Sequence, residues 1–178
     1  GVRGWVAMTD AAHLPDIPGV KPLCHEALLA AERGDYEWPR LDEWTASGLC
    51  YTSGTSGNPK GVLYSHRSTV LHAYAASLPD VFGASARETI LPVVPMFHVN
   101  AWGVPYLATM NGCKLVFPGP ALDGKSLYEL FEAEKVTLTA GVPTVWLGLL
   151  AHMKANALRF STLRRAVVGG SAAPPAML

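Results

Sequence analysis

The sequence predicts an α/β fold, a mostly parallel sheet flanked by helices. Three observations carry that prediction. From residue 47 onward, short apolar runs suited to buried strands alternate with stretches of helical periodicity. The chain is 49% hydrophobic and 16% charged, which supplies core material and argues against disorder. Its 178 residues suit one domain or a large piece of one.

Residues 1–46 are the least regular part and read as a lead-in segment of the same domain. "HLPDIPGVKP" reads as turns and extended chain. "CHEALLAAERG" reads as a short helix with Gly34 near its C-cap. "DYEWPRLDEW" reads as a surface linker. Residues 47–178 form the regular α/β region. "GLCYT" and "GVLYS" are strand-like runs on either side of a glycine-rich loop. Ser65 caps a helix over His66 to Leu78, with Val70, Leu71, Tyr74 and Leu78 at helical spacing as its apolar stripe. "TILPVV" is the next strand. "NAWGVPYLATMNG" is a helix that Asn100 would cap and Gly112 would stop, although Pro105 sits within it. "CKLVFP" is a strand, "DGKSLYELFEAEK" an amphipathic helix and "VTLTAG" a strand. "PTVWLGLLAHMKAN" is a helix with proline at its first position. "LRRAVVGG" is a strand, and "APPAML" is the first turn of a further helix.

Composition excludes several function classes. Lys plus Arg is 14 and Asp plus Glu is 14, so no basic excess supports nucleic-acid binding. Cys24, Cys50 and Cys113 are widely spaced and form no C-x-x-C pair, which speaks against a disulfide framework or zinc site. A reducing, cytoplasmic setting fits them. The opening "GVRGWVAMTD" lacks the pattern of a signal peptide. Residues 89–122 carry only Lys114 as a charge, but prolines such as Pro92, Pro95, Pro105 and Pro118, together with His98 and Asn100, interrupt them, so no membrane span is expected. No H-E-x-x-H or similar ligand spacing connects the six histidines.

The loop "YTSGTSGNPKGV" concentrates the chemistry. Gly54, Gly57 and Gly61 permit tight turns whose N–H groups make a concave anion site. Thr52, Ser53, Thr55 and Ser56 add hydroxyls, and Lys60 adds a mobile cation suited to a polyphosphate. A Walker loop needs lysine directly after glycine and a helix next; here the order is G-N-P-K-G between strands. A dinucleotide fingerprint is absent as well. A plain Ser/Gly turn would satisfy the glycines alone. The full twelve residues, ending Pro-Lys-Gly before a second strand, favour phosphate.

This loop closely resembles the phosphate-binding signature of the adenylate-forming enzymes: acyl-CoA synthetases, luciferases and peptide-synthetase adenylation domains. The likeness continues through "SHRSTV", "PMFHVNAW", "AGVPTVW" and "VVGGSAAPP", from about Trp44 to the last residue. It implies part of the large N-terminal domain of such an enzyme. The implied reaction joins a carboxylate to Mg-ATP, giving an acyl-adenylate and pyrophosphate, and then forms a thioester with coenzyme A. It further implies that an acidic magnesium-sharing residue, a ribose-binding aspartate and a small mobile domain with a catalytic lysine lie downstream. The 178-residue piece alone is therefore expected to be inactive.

Carried onto this sequence, the resemblance implies that Thr52 is a Mg2+ ligand and that residues 52–57 and Lys60 hold the phosphates. Lys60 and His98 are the implied catalytic groups. Val99 and Trp102 border the nucleotide, and Gly170 and Ser171 lie against the adenosine. His98, Val99, Trp102, Gly141, Val142 and Pro143 form the acyl pocket. Amino-acid-activating relatives place an aspartate where this chain has His98. With no charge lining the pocket, a neutral, apolar acyl chain fits best. "HVNAW" is most similar to the medium- and long-chain fatty acyl-CoA synthetases, in which an aromatic residue gates the acyl tunnel. Trp102 is the candidate gate, with ordinary core packing as its alternative. An aryl- or other carboxylate–CoA ligase, or a non-catalytic nucleotide-binding relative, also fits the loop. Acyl chain length, pathway and oligomeric state stay open, and a homo-oligomer is compatible.

Overall fold

The computed structural model describes residues 3–52 and 57–177. The chain divides into two compact units, Gly1–Leu41 and Asp42–Leu178. In the first, β1 (Val6–Ala7) pairs in parallel with β2 (Leu23–Cys24). Between them Asp10 caps a single 3-10 turn, Ala11–His13, by accepting the N–H groups of Ala12 and His13 at 3.0 Å. The expected turns are present, with Ile17 bridged to Val20 around Gly19 at φ +76°. Helix α1 (His25–Ala31) stops earlier than expected. Glu32 turns extended and its N–H reaches Leu29 O, so Gly34 lies beyond the helix instead of capping it.

The second unit is built around a four-stranded sheet in the order β6-β5-β7-β8. Its strands are β5 (Thr89–Pro92), β6 (Lys114–Leu115), β7 (Leu138–Gly141) and β8 (Arg165–Val168), all parallel. The sheet is buried because its strands present apolar residues to both faces. Ile90, Leu138 and Ala140 join one cluster and Leu91 the other, as the two-residue period of a strand requires. Thr139 is fully buried, and its hydroxyl donates to Leu91 O at 2.6 Å, which removes the cost of an unpaired polar group.

On the first face lie α2 (His66–Ser77) and α4 (Val104–Asn111). Ser65 and Ser68 form a reciprocal capping box at the start of α2. The inward face of α2 differs from the expected one. Val70, Leu71, Tyr74 and Leu78 are 49–62% exposed, while Ala73 and Ala76 are buried against Val104, Leu107 and Ala108. Small alanines let the two helices approach closely, and that contact overrides the size-weighted stripe. Pro105 falls at the start of α4, where no intrahelical N–H is required, and Gly112 ends the helix at φ +68°.

On the second face lie α5 (Gly124–Ala133) and α6 (Pro143–Ala155). Asp123 caps α5 through the N–H groups of Lys125 and Ser126, and Pro143 opens α6. Phe131 is fully buried between the rings of Trp146 and Phe160. "CKLVFP" pairs only at Lys114–Leu115, and "APPAML" forms one 3-10 turn, Pro175–Met177.

A clasp around the buried carboxylate of Glu88 joins the amino ends of the strands. Glu88 is 7% exposed; it accepts from Arg164 at 3.2 Å, from Arg165 at 3.0 Å and from the Thr137 hydroxyl at 2.5 Å. Arg165 passes through space that a side chain on Gly83 would fill, 2.0 Å from the site of its Cβ.

The runs around the glycine loop are β3 (Ala46–Thr52) and β4 (Lys60–Ser65). They pair antiparallel and form their own two-stranded sheet. The parallel prediction thus holds for β5 to β8 and not for this hairpin, because a loop of seven residues is too short for a parallel crossover.

Candidate functional site

Hairpin register places Thr52 opposite Lys60, one on each side of the loop. The Thr52 hydroxyl faces Lys60 O at 3.5 Å, and both residues are exposed. Gly57 is exposed with φ +148°, and no atom would obstruct a side chain there. Ser53, Gly54, Thr55 and Ser56 lie outside the described residues. The hairpin can therefore offer a cation and a hydroxyl at one mouth.

A hard dication takes oxygen ligands. Thr52 offers one neutral oxygen at an exposed strand end. Among the described residues no group of three or more His, Cys, Asp and Glu could hold a metal ion. Thr52 could contribute one oxygen to a bound Mg2+ and by itself does not make a metal site.

After β5 the chain passes through Pro95 and His98 into α3 (Val99–Trp102), a single left-handed turn. Val99, Asn100, Ala101 and Trp102 have φ between +49° and +56°, and Gly103 follows at +73°. Each non-glycine residue in this region costs on the order of 1 kcal/mol. Asn100 and Gly103 tolerate it; Val99, Ala101 and Trp102 do not, so their surroundings must hold them there. Those surroundings are specific. Ala101 is fully buried. Asn100 Oδ1 accepts from Cys50 Sγ at 3.3 Å, and its Nδ2 donates to the Tyr106 hydroxyl at 3.3 Å. Asn100 therefore does not cap a right-handed helix, as the sequence pattern suggested. It ties the turn to β3, the strand that leads into the glycine-rich loop.

The turn separates the predicted site residues. Trp102 points to the sheet, packs on the cluster of α2 and α4, and lies 2.8 Å from where a Cβ on Gly169 would sit. Gly170, at φ +81°, lies beside Val142, with Val142 Cγ1 3.0 Å from its virtual Cβ. Gly141 is closed off from a side chain by the Trp146 ring at 2.5 Å. Pro143 is buried at the start of α6. Trp102, Gly141, Val142, Pro143 and Gly170 thus gather at the carboxyl ends of β7 and β8, where ligands bind in open α/β sheets. Ser171 is exposed next to them. His98 is exposed at the head of the turn, its N–H on Pro95 O and its carbonyl accepting from Ala101.

Val99 lies on the other side, in the wall of a cavity of about 240 Å³. Tyr64, Ser68, Thr69, His72, Asn100, Gly103 and Tyr106 complete that wall. The sequence reading missed His72, Asn100 and Tyr106 as site residues. "NAWG" carried one usable signal for Asn100, since asparagine and glycine are the residues that favour left-handed backbone. Nothing local marked His72 on the helix.

The chain matches the AMP-binding enzyme family over residues 9–178. It is 58% identical over 162 residues to a medium-chain-fatty-acid–CoA ligase of Ectopseudomonas oleovorans, covering 91% of this chain and 29% of that protein. It is 58% identical over 139 residues to a long-chain-fatty-acid–CoA ligase of Thermus thermophilus, covering 78% of this chain and 26% of the relative. Among solved structures, the inhibitor-bound N-terminal domain of FACL13 from Mycobacterium tuberculosis superposes with a TM-score of 0.77 at 26% identity, covering 93% of this chain and 42% of that one. The chain spans less than a third of the length of these curated relatives. With this fold and a match across nearly its whole length, the chain belongs to the AMP-binding enzymes, as part of the N-terminal domain of an adenylate-forming protein.

Proposed function

We propose that the protein carrying this chain is an ATP-dependent fatty acyl-CoA ligase. It activates a neutral carboxylate as its adenylate and passes the acyl group to coenzyme A. The observation that carries this reading is the Asn100–Cys50 contact, which joins the turn bordering the acyl cavity to the strand entering the phosphate loop. That contact ties together the two elements that would hold carboxylate and phosphate, the kind of alignment such a reaction needs. Both fatty-acid–CoA ligase relatives support the substrate class.

Attack by the carboxylate on the α-phosphorus loads negative charge on the phosphate oxygens and on departing pyrophosphate. Lys60 and the loop N–H groups of residues 52–57 counter that charge, and bound Mg2+ would supply further charge neutralisation, with Thr52 among its ligands. His98, at the head of the turn, orients the carboxylate. Gly170 and Ser171 back the adenosine. Trp102 spans from the acyl-side turn to Gly169 and serves as the gate between the two substrates. The wall from Val99 to Gly103 bears no charged side chain, which fits a neutral tail better than malonate or an amino acid.

No helix among the described residues is long and apolar enough to cross a membrane, and Cys24, Cys50 and Cys113 are free thiols. Free thiols persist where the surroundings are reducing, and we propose a cytoplasmic setting for the protein on that chemistry, as a monomer or homo-oligomer that light scattering would resolve.

The test is ATP–pyrophosphate exchange by the full-length protein with fatty acids, benzoate, malonate and amino acids. Exchange should be strongest with a fatty acid. Lys60→Ala should lower it about 100-fold, and Thr52→Val should raise the magnesium requirement. Preference for malonate or an amino acid, or wild-type ATP and magnesium dependence in both variants, would overturn the assignment.

A further inference from the structure

The amino ends of β5 and β8 frame a second cavity, of about 530 Å³, at the end of the sheet opposite Gly141 and Gly170. The segment between α2 and β5 closes it through Gly83 and Ser85. Three arginines, Arg87, Arg164 and Arg165, line it against one carboxylate, Glu88. The wall therefore carries an excess of two positive charges, in a chain whose formal net charge is zero. Asp80 is near in the chain but does not line the cavity.

Glu88 orients the cations more than it neutralises them. Its carboxylate is buried and already engaged by Arg164, Arg165 and the Thr137 hydroxyl. Both arginines reach it through Nη2 alone, and the Nη2 of Arg165 also donates to Gly83 O at 3.0 Å. Their Nη1 and Nε groups take no part in these bonds. Gly83 fixes Arg165 further, because the Nη1 of that arginine fills the space where a Cβ would lie. Two guanidinium groups are thus held in place with donors still uncommitted. Arg87 adds a third, whose guanidinium forms no ion pair among the described residues. The Ser85 hydroxyl accepts the Arg87 N–H at 3.4 Å and keeps its own proton for another acceptor.

These features select a class of ligand. A guanidinium fork matches the oxygens of phosphate, and one phosphate offers oxygens to several forks. An excess of two charges suits a phosphate dianion better than a carboxylate. Arg164 is 61% exposed, so an anion reaches it from solvent by charge attraction and needs no dry pocket. The cavity is concave and of small-molecule size. We propose that it is a second anion site, separate from the glycine-rich loop, which takes a small molecule bearing a phosphate group. Arg87, Arg164, Arg165 and the Ser85 hydroxyl are its donors, and Glu88 positions two of them. The site stands independently of the ligase reading.

Phenylglyoxal, which modifies guanidinium groups, tests this on the full-length protein, with modification at Arg164 followed by mass spectrometry. Sodium pyrophosphate is the probe, and potassium chloride keeps the ionic strength constant. Pyrophosphate at saturation should slow modification of Arg164 about 5-fold. Arg87→Glu, at an exposed position outside the clasp, removes the charge excess and should raise the half-protecting concentration about 10-fold. Arg87→Lys keeps the charge and should shift it less. Protection should persist in Lys60→Ala, where pyrophosphate binding at the glycine-rich loop is weakened. AMP as a second probe separates the sources: equal protection by AMP assigns a phosphate ester, and protection by pyrophosphate alone assigns a free diphosphate. Equal modification in pyrophosphate and in matched chloride overturns the inference. Full protection in Arg87→Glu, or loss of protection in Lys60→Ala, overturns it as well. Each of these outcomes leaves the ligase reading intact.

Discussion

The β3–β4 hairpin and the β5–β8 sheet are held by different means. In the sheet, Ile90, Leu91, Leu138 and Ala140 are fully buried, with helices on both faces. In the hairpin, Leu49, Tyr51 and Leu63 are 54–67% exposed, and Cys50 is the buried residue. Backbone pairing and the Cys50–Asn100 contact hold the hairpin; apolar packing holds the sheet. Stability is therefore concentrated in the sheet, and the phosphate chemistry proposed above lies on the hairpin. Regions that must meet a ligand are drawn from the less stable parts of a fold. The consequence is that the two properties should separate on mutation.

The sharpest test is a pair of truncations. Phe131→Ala removes a ring fully buried among Trp146 and Phe160 and should cost about 3–5 kcal/mol in a denaturant titration. Leu63→Ala, on the exposed hairpin, should stay within about 0.5 kcal/mol. Similar losses at both positions would erase the distinction.

Trp102 belongs to both regions, since it packs on the α2–α4 cluster and reaches Gly169. Being half-buried, it should cost about 2 kcal/mol when cut to alanine, below the full core range. If it gates the acyl path, fatty-acid selectivity should change as well. A stability loss with unchanged selectivity returns it to the core.

Glu88→Gln probes the end of the sheet far from the ligand loops. The carboxylate is buried, but Arg164 and Arg165 are 61% and 38% exposed, so solvent screens the clasp. The cost should be about 2 kcal/mol, below that of a fully buried pair. ATP use should not change with it; a large change in the magnesium or ATP requirement would show that the two ends of the sheet are coupled.

The smallest effect is a pH dependence. Hydrogen bonds from the Ser126 N–H and hydroxyl, and from Lys125 N–H, hold the Asp123 carboxyl below its ordinary value. A lowered folded pKa stabilises above the unfolded value and is lost as pH falls through the folded one. The cap on α5 is thus complete above about pH 4 and weakens only in stronger acid. Circular dichroism should show a small helical loss there, which Asp123→Asn removes. An unchanged acid transition in that variant would assign the loss to another group, such as Glu132, which Ser161 also holds low.

The element order was legible because strands and capped helices are written locally. Ser65 and Asp123 do cap, Pro143 does begin a helix, and Gly112 does end one. The glycine-rich loop stood out for the same reason, its pattern being contained in twelve consecutive residues. The inward face of α2 was misread because Ala73 and Ala76 carry little apolar weight of their own. They are buried only because α4 lies against them.

The sequence by itself determined the α/β class, two strand-like runs on either side of a glycine-rich loop, and the family. Each rests on short-range pattern: period, cap, turn residue and motif. Tertiary structure alone decided that Val99 to Trp102 turn left-handed, since three of those four residues disfavour that backbone in isolation. Burial of Ala101, packing of Trp102 on the α2–α4 cluster and the bonds of Asn100 with Cys50 and Tyr106 offset that cost. The same turn sends Trp102 to the sheet and Val99 to the cavity, and it leaves the space at Gly103 that His72 fills. Residues 31 positions apart in the chain meet there, and no periodicity within either segment records the meeting.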